Sequence, residues 1–159
     1  MARHVYFAFH YQRDIWRVNV VRNSNVVQGF DSAGFMDYSL WEEAKRKGDE
    51  AIKRLINEGL RGTTVTVVLI GAKTSEREYV DYEIDRSWTR GNGLIGVYIH
   101  SIKDRYGYTD VKGADPFVAG YEKIRTYDWV LDNGYENLGD WIDAAYERAT
   151  KRREGSLSS

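Results

Sequence analysis

Three runs of strand-forming residues, nearly all of them apolar, most strongly constrain the fold that this chain can adopt. A strand with one face in water alternates apolar and polar residues, whereas a strand covered on both faces is apolar throughout. Segments with helical periodicity separate the three runs, so the sequence predicts an α/β fold with a parallel sheet between layers of helices. The runs are Val5-Tyr6-Phe7-Ala8-Phe9, Thr64 to Ile70 and Leu94 to Ile99.

Weaker signals complete a prediction of five strands. A short second strand is expected at Val26-Val27 and a last strand at Thr126 to Val130. With short connections, these strands favour the flavodoxin-like order 2-1-3-4-5 and a three-layer domain. Residues 1–150 are expected to form one domain, and the Ser-rich residues 151–159 are expected to form a flexible tail.

Helix signals lie between the strands. Residues 11–22 have apolar residues at helical spacing. Ser39 and Ser75 each begin an S-x-x-E pattern, which is the capping box of a helix start. The helix from Ser39 is expected to end at Gly59, and that from Ser75 near Arg90. A final helix is predicted through residues 138–149.

Composition excludes several classes of site. The 159 residues contain no cysteine, which removes disulfides, thiolate metal sites and cysteine nucleophiles. Lys plus Arg total 23 and Asp plus Glu total 24, so the charge does not suggest a nucleic-acid partner. Membrane-spanning runs of about 20 apolar residues and a signal-peptide core are missing. The three histidines lack metal-ligand spacing. We expect a soluble cytoplasmic protein without a metal site.

The predicted strand order places a ligand site between the first and third strands. Open parallel sheets bind ligands beyond the carboxyl ends of their strands, where the order reverses. The loops there are His10-Tyr11-Gln12 and residues 71–75, and the helix leaving the second loop carries Tyr79 and Glu83. These two residues are four apart and share a helical face. A helical Glu is usually only solvated, and a Tyr there more often packs, so position alone leaves both roles open.

Two segments at this point resemble a known family. Residues 5–11 resemble the first strand and following loop of TIR domains. Tyr79-Val80-Asp81-Tyr82-Glu83-Ile84 resembles the segment that carries the catalytic glutamate in NAD-cleaving TIR enzymes. The similarity continues from His4 to about Trp141 and is nearest to the TIR-like B component of the bacterial Thoeris antiphage system. The further segments that carry it are residues 16–23, 39–45, 53–57, 68–71 and 127–130.

This resemblance implies an antiphage enzyme that needs no cofactor. NAD would be its substrate, cleaved at the nicotinamide–ribose bond and cyclised to an isomer of cyclic ADP-ribose. That signal would activate a partner effector protein after a phage trigger is sensed. Assembly into a homo-oligomer through the loop at residues 29–38 is left open.

The chemistry explains why one carboxylate suffices. Ordinary glycosides need a second carboxyl group to protonate the leaving oxygen. The nicotinamide of NAD is already cationic and leaves unprotonated, so the remaining task is to stabilise a ribosyl cation. Glu83 is the catalytic residue that the family motif implies. The candidate substrate-binding residues are Phe9, His10, Tyr11, Trp41 and Tyr79 near the predicted cleft and, in the segment after the first strand, Arg17 for a phosphate and Asn19.

Two other functions remain open from the sequence. A non-catalytic TIR scaffold would act through assembly and would not need Glu83. A nucleoside deoxyribosyltransferase-like enzyme also uses a glutamate on a related sheet, and deoxynucleosides tested against NAD would separate it from the leading hypothesis.

Overall fold

The fold is built on a four-stranded parallel sheet. The computed structural model describes residues 4–11, 13–24, 38–117 and 124–157. Within them the strands lie side by side in the order β1-β2-β3-β4, and each neighbouring pair is parallel. Every residue of β1, β2 and β3 is buried, which is the reason that their sequences are apolar runs. The strands are β1 (Val5–Ala8), β2 (Val65–Ile70), β3 (Gly93–Tyr98) and β4 (Arg125–Asp128).

Five α-helices flank this sheet in the described part of the chain. The long α5 packs against β3 and β2, and α4 packs against the same two strands. The apolar stripe of α5 includes Leu138, Ile142 and Ala145, all with at most 1% of their surface exposed. The helices are α1 (Ile15–Arg22), α2 (Tyr38–Lys47), α3 (Asp49–Leu60), α4 (Val80–Arg90) and α5 (Gly134–Leu157).

The α/β class with a parallel sheet is confirmed, but the described sheet has four strands and not five. The predicted second strand at Val26-Val27 falls in residues 25–37, outside the described residues. The order 2-1-3-4-5 therefore stays a prediction. β4 spans Arg125–Asp128, so the last strand begins and ends slightly earlier than the sequence suggests.

Helix boundaries differ from the sequence expectations at three places. The single helix expected from Ser39 to Gly59 is broken at Gly48, whose φ of 112° no other residue type adopts readily. A short 3-10 helix, Thr74–Glu76, replaces the helix start expected at Ser75, and α4 begins only at Val80. The last helix continues to Leu157, into the stretch expected to be a tail, while the domain boundary at residue 150 stays a prediction. Among the described residues, no helix has the length and apolar character of a membrane span.

Gly93 fixes the close approach of β3 to α5. A Cβ at this position would lie 2.4 Å from the backbone oxygen of Ala145, which cannot move without shifting α5. Gly93→Ala is therefore expected to lower the free energy of unfolding by about 1–3 kcal/mol, as overpacking of a core does. Gly155→Ala is the matched control in α5, because nothing lies within 4 Å of its Cβ position. Urea denaturation of both variants checks this, and equal stabilities would contradict it.

Candidate active site

Glu83 lies in the first turn of α4 and is completely buried, with 0% of its surface exposed. Its neighbours on the helix behave as the spacing predicts, since Val80 and Ile84 are buried while Asp81 and Asp85 are exposed. Full burial of a carboxylate is costly unless it is paired and hydrogen-bonded. The burial of Glu83 is therefore the first observation that separates it from an ordinary solvated helix residue.

Three side chains hold the Glu83 carboxylate. The Tyr6 hydroxyl donates a hydrogen bond to Oε2, and the Tyr11 hydroxyl donates a second, longer one of 3.3 Å to the same oxygen. The guanidinium of Arg77 forms an ion pair with Oε1. The carboxylate is thus oriented by β1, by the loop after β1 and by the segment before α4, which are the elements that meet at the carboxyl edge of the sheet.

Burial shifts the pKa values of the two tyrosines in the direction that preserves their bonds to Glu83. Desolvation raises the pKa of Tyr6 well above its usual value and also raises the pKa of Tyr11. Both hydroxyls therefore remain protonated donors at neutral pH. Desolvation lowers the pKa of Arg77, yet a guanidinium starts so high that it keeps its charge.

A cleft of about 300 Å³ opens beside this cluster. It has an aromatic wall in which the Tyr11 and Trp41 rings lie 4.5 Å apart and Trp41 meets Tyr79 edge-on at 5.9 Å. Glu83 does not itself line the cleft, whereas its partners Arg77 and Tyr11 do. Residues along the cleft include His10, Tyr11, Trp41, Lys45, Arg77 and Tyr79.

The structure brings four of the predicted binding residues together at the cleft: His10, Tyr11, Trp41 and Tyr79. Phe9 supports them from behind, with 1% of its surface exposed and its ring 4.5 Å from that of Tyr11. His10 accepts a hydrogen bond at Nδ1 from the Arg13 backbone, and burial lowers its pKa, so it is a neutral imidazole at the cleft.

Arg17 and Asn19 lie elsewhere. Arg17 donates from Nε to the Ile102 carbonyl at 2.7 Å and from Nη2 to the Tyr108 carbonyl at 3.0 Å. These bonds tie α1 to the loop after β3, so they do not support the predicted phosphate contact. Asn19 is half-buried on α1 and does not line the cleft. Helical spacing predicted α1 but could not show which face its polar residues would occupy.

Sequence reasoning missed Tyr6 and Arg77. Tyr6 was read only as part of an apolar strand, although a tyrosine hydroxyl inside a fully buried strand needs a polar partner. That requirement is the signal that could have singled it out. Arg77 had no comparable signal, since an arginine in a loop is normally solvated.

Tyr79 links the start of α4 to the start of α3. Its hydroxyl donates to Asp49 Oδ1 at 2.7 Å, and this bond raises the pKa of Tyr79 to about 12. The bond also presents one edge of the Tyr79 ring to Trp41. Tyr79 is therefore a fixed part of the cleft wall.

Asp49→Asn is expected to lower the pKa of Tyr79 from about 12 toward the usual 10.0, because the carboxylate no longer disfavours the phenolate. Since the folded pKa lies above the unfolded one, this bond stabilises the fold below pH 10 and is lost as pH rises toward 12. NMR titration of ¹³Cζ-labelled tyrosine, assigned with Tyr79→Phe, measures the shift. An unchanged pKa in Asp49→Asn would show that the bond does not form.

Within the described residues, no group of three or more His, Cys, Asp or Glu side chains could hold a metal ion. The site instead combines a cleft with aromatic surfaces and an arginine with a buried carboxylate next to it that two phenol hydroxyls hold. This arrangement can bind a molecule with planar rings and stabilise a positive centre next to a carboxylate.

The fold and this site define an α/β domain with a buried glutamate beside a cleft. Residues 6–104 match the family model described as "Thoeris protein ThsB, TIR-like domain". The chain is 38% identical over 192 aligned positions to a protein of Bacillus cereus (strain MSX-D12) named "Putative cyclic ADP-D-ribose synthase ThsB1", with 90% of this chain and 100% of that protein covered. The chain belongs to the Thoeris ThsB family of TIR-like proteins.

Proposed function

We propose that this protein cleaves NAD at the nicotinamide–ribose bond and cyclises the ADP-ribose part into a signalling nucleotide. The observation that carries the proposal is the fully buried Glu83 carboxylate, held by two tyrosine hydroxyls next to an aromatic cleft. The similarity of the chain to a protein named for cyclic ADP-D-ribose synthesis supports the same chemistry.

In this reaction Glu83 stabilises the positive charge that develops on the ribose, and it does not need to transfer a proton. As the bond to the cationic nicotinamide lengthens, positive charge develops on the ribose, and a carboxylate placed beside it lowers the barrier. Burial strengthens that interaction, since little water is present to screen it. Tyr6 and Tyr11 orient the carboxylate and remain donors throughout.

Cyclisation requires the adenine end to reach the cationic carbon before water does. Stacking of the adenine on the Trp41 and Tyr79 edge of the cleft would fold the dinucleotide back over the site. Holding both reacting ends in one cleft replaces a bimolecular step with an intramolecular one, and exclusion of water suppresses hydrolysis.

The biological role proposed here follows from membership of the Thoeris family. The protein would act in the bacterial cytoplasm, respond to a phage trigger and release a cyclic nucleotide that activates an effector protein. These partners are proposals, as is assembly into a homo-oligomer.

NAD turnover by the purified protein, with products separated and weighed by mass spectrometry, tests the proposal. We expect nicotinamide and a product with the mass of cyclised ADP-ribose, either directly or after addition of phage-infected cell lysate. Linear ADP-ribose alone would make the protein a hydrolase. Turnover of deoxynucleosides in place of NAD would make it a deoxyribosyltransferase, and silence in every assay would favour a scaffold.

A further inference from the structure

Arg77 occupies an unusual position for an arginine. Its side chain keeps only 8% of its surface exposed, and its guanidinium contacts Glu83 on one side and aromatic rings on the other. The guanidinium carbon lies 4.9 Å from the centre of the Tyr11 ring and 5.3 Å from that of Trp41. A cation between a carboxylate and two aromatic faces is well bound, because both surroundings attract positive charge.

This contact closes the route from the cleft to Glu83. Arg77 lines the cleft and Glu83 does not, so a ligand in the cleft meets the guanidinium before it can meet the carboxylate. In the reaction proposed above, however, Glu83 must face a ribose that becomes cationic. The arginine and the substrate cation therefore compete for the same buried carboxylate.

We propose that Arg77 is an internal occupant of the site, holding the enzyme inactive until its side chain is displaced from Glu83. The inference rests on the proposed function, for which it names the regulation. The guanidinium takes the place of the ribosyl cation against the carboxylate and of a planar ring against Tyr11 and Trp41.

The contacts of Arg77 show how it could be released. None of its three guanidinium nitrogens has a hydrogen-bond partner among the described residues, so release of the side chain breaks the ion pair with Glu83 and the two aromatic contacts. The residue lies between the 3-10 helix and α4 with an extended backbone that is hydrogen-bonded to both, so a change of side-chain rotamer, without a change in the backbone, would move the guanidinium. Glu42 and Glu78 line the same cleft and could receive the displaced cation.

When Arg77 blocks the site in most molecules, the apparent substrate affinity is the intrinsic affinity multiplied by the fraction of molecules with an open site. Removing the block should therefore raise activity without adding any contact to the substrate. Ordinary loss of a substrate-binding arginine would do the opposite, since a phosphate contact would be lost. The sign of the change in turnover separates the two roles.

Arg77→Ala is expected to raise NAD turnover by about tenfold or more over the untriggered wild type, with the gain in kcat/KM. Arg77→Met keeps the apolar stem of the side chain and should raise turnover in the same way. It replaces Arg77→Ala in the assay if Arg77→Ala proves unstable. Arg86→Ala is the control, because Arg86 is exposed on α4 and does not line the cleft. Turnover of the Arg77 variants equal to or below that of wild type, with folding intact, would overturn the proposal.

Guanidinium ion provides a chemical test of the same site. At a non-denaturing concentration it should refill the cavity left by Arg77→Ala, lower the turnover of that variant and raise its Tm. Wild type should show neither effect, and sodium chloride at equal ionic strength is the salt control. Inhibition of wild type and variant to the same degree would contradict the proposal.

Labelling of Glu83 makes the test independent of NAD chemistry. A water-soluble carbodiimide with an amine should modify Glu83 in Arg77→Ala about tenfold faster than in wild type, since the open fraction sets access. Peptide mass spectrometry measures both rates. Absence of NAD turnover in every variant would overturn the proposed function, whereas equal labelling rates would overturn the role of Arg77.

Discussion

Glu83→Gln is expected to lower NAD turnover by about 10²–10³-fold or more, the effect of removing one preorganised electrostatic stabiliser. Gln has nearly the same shape and can still accept the hydrogen bond from Tyr6, but it has no negative charge to offset the ribosyl cation. The change thus removes the charge and leaves the packing of α4 in place. Initial rates of nicotinamide release in wild type and variant measure the effect.

The folded state of Glu83→Gln must be checked in the same experiment, because Arg77 loses its anionic partner. Breaking a buried ion pair costs about 3–5 kcal/mol when nothing replaces the missing charge. Circular dichroism and thermal unfolding report whether the fold survives. Asp85→Asn is the matched control, since Asp85 is exposed on the same helix and should keep wild-type turnover. Equal rates in wild type and folded Glu83→Gln would remove Glu83 from the mechanism.

Tyr6→Phe is expected to reduce turnover by about 10- to 100-fold, the equivalent of a hydrogen bond to a charged group worth about 1.5–3 kcal/mol. The Tyr6 hydroxyl is buried with the carboxylate and donates to Oε2. Without it, the carboxylate loses a bond that fixes its direction, and the loss should appear in kcat. The ring still fills the same space, so the sheet is preserved.

Tyr11→Phe is the natural comparison for Tyr6→Phe. Its hydroxyl reaches the same oxygen at 3.3 Å, a longer and weaker bond, so its removal should cost less. Steady-state kinetics of the two variants tests this order. A larger loss in Tyr11→Phe than in Tyr6→Phe would show that the loop after β1, and not β1 itself, orients Glu83.

The sequence predicts three strands of the sheet well, because a strand buried on both faces has a nearly continuous run of apolar residues. β1, β2 and β3 coincide with the three runs to within one residue at each end. Glu83 also emerges from the sequence, since the predicted strand order places its helix at the expected ligand edge and the resemblance to the family motif singles it out. The first inference depends on the burial pattern of the strands, whereas the second depends on the resemblance of residues 79–84 to the family motif.

Contacts between side chains of different helices, strands and loops could not be predicted from the sequence. The ion pair of Arg77 with Glu83 and the bonds of Arg17 to the loop after β3 join residues from different elements. Both arginines look alike in sequence, yet one lies at the candidate site and the other secures a loop. Side-chain direction decides between these roles, and it is set by packing that no local pattern records.

Tyr6 and Trp41 also show that a local sequence pattern does not reveal the direction of a side chain. Trp41 was predicted at the cleft from its aromatic character and lines it, whereas Tyr6 was assigned to the core and supports the carboxylate. Both are amphipathic aromatic residues, and their residue type does not show which of them lines the cleft.

The position of NAD relative to Glu83 tests the account most directly. A crystal structure of the inactive Glu83→Gln protein soaked with NAD would show it. We predict that the nicotinamide ribose lies within hydrogen-bond distance, about 3 Å, of the residue 83 side chain, with Arg77 moved out of the way. NAD bound away from residue 83, with Arg77 still between them, would contradict the account.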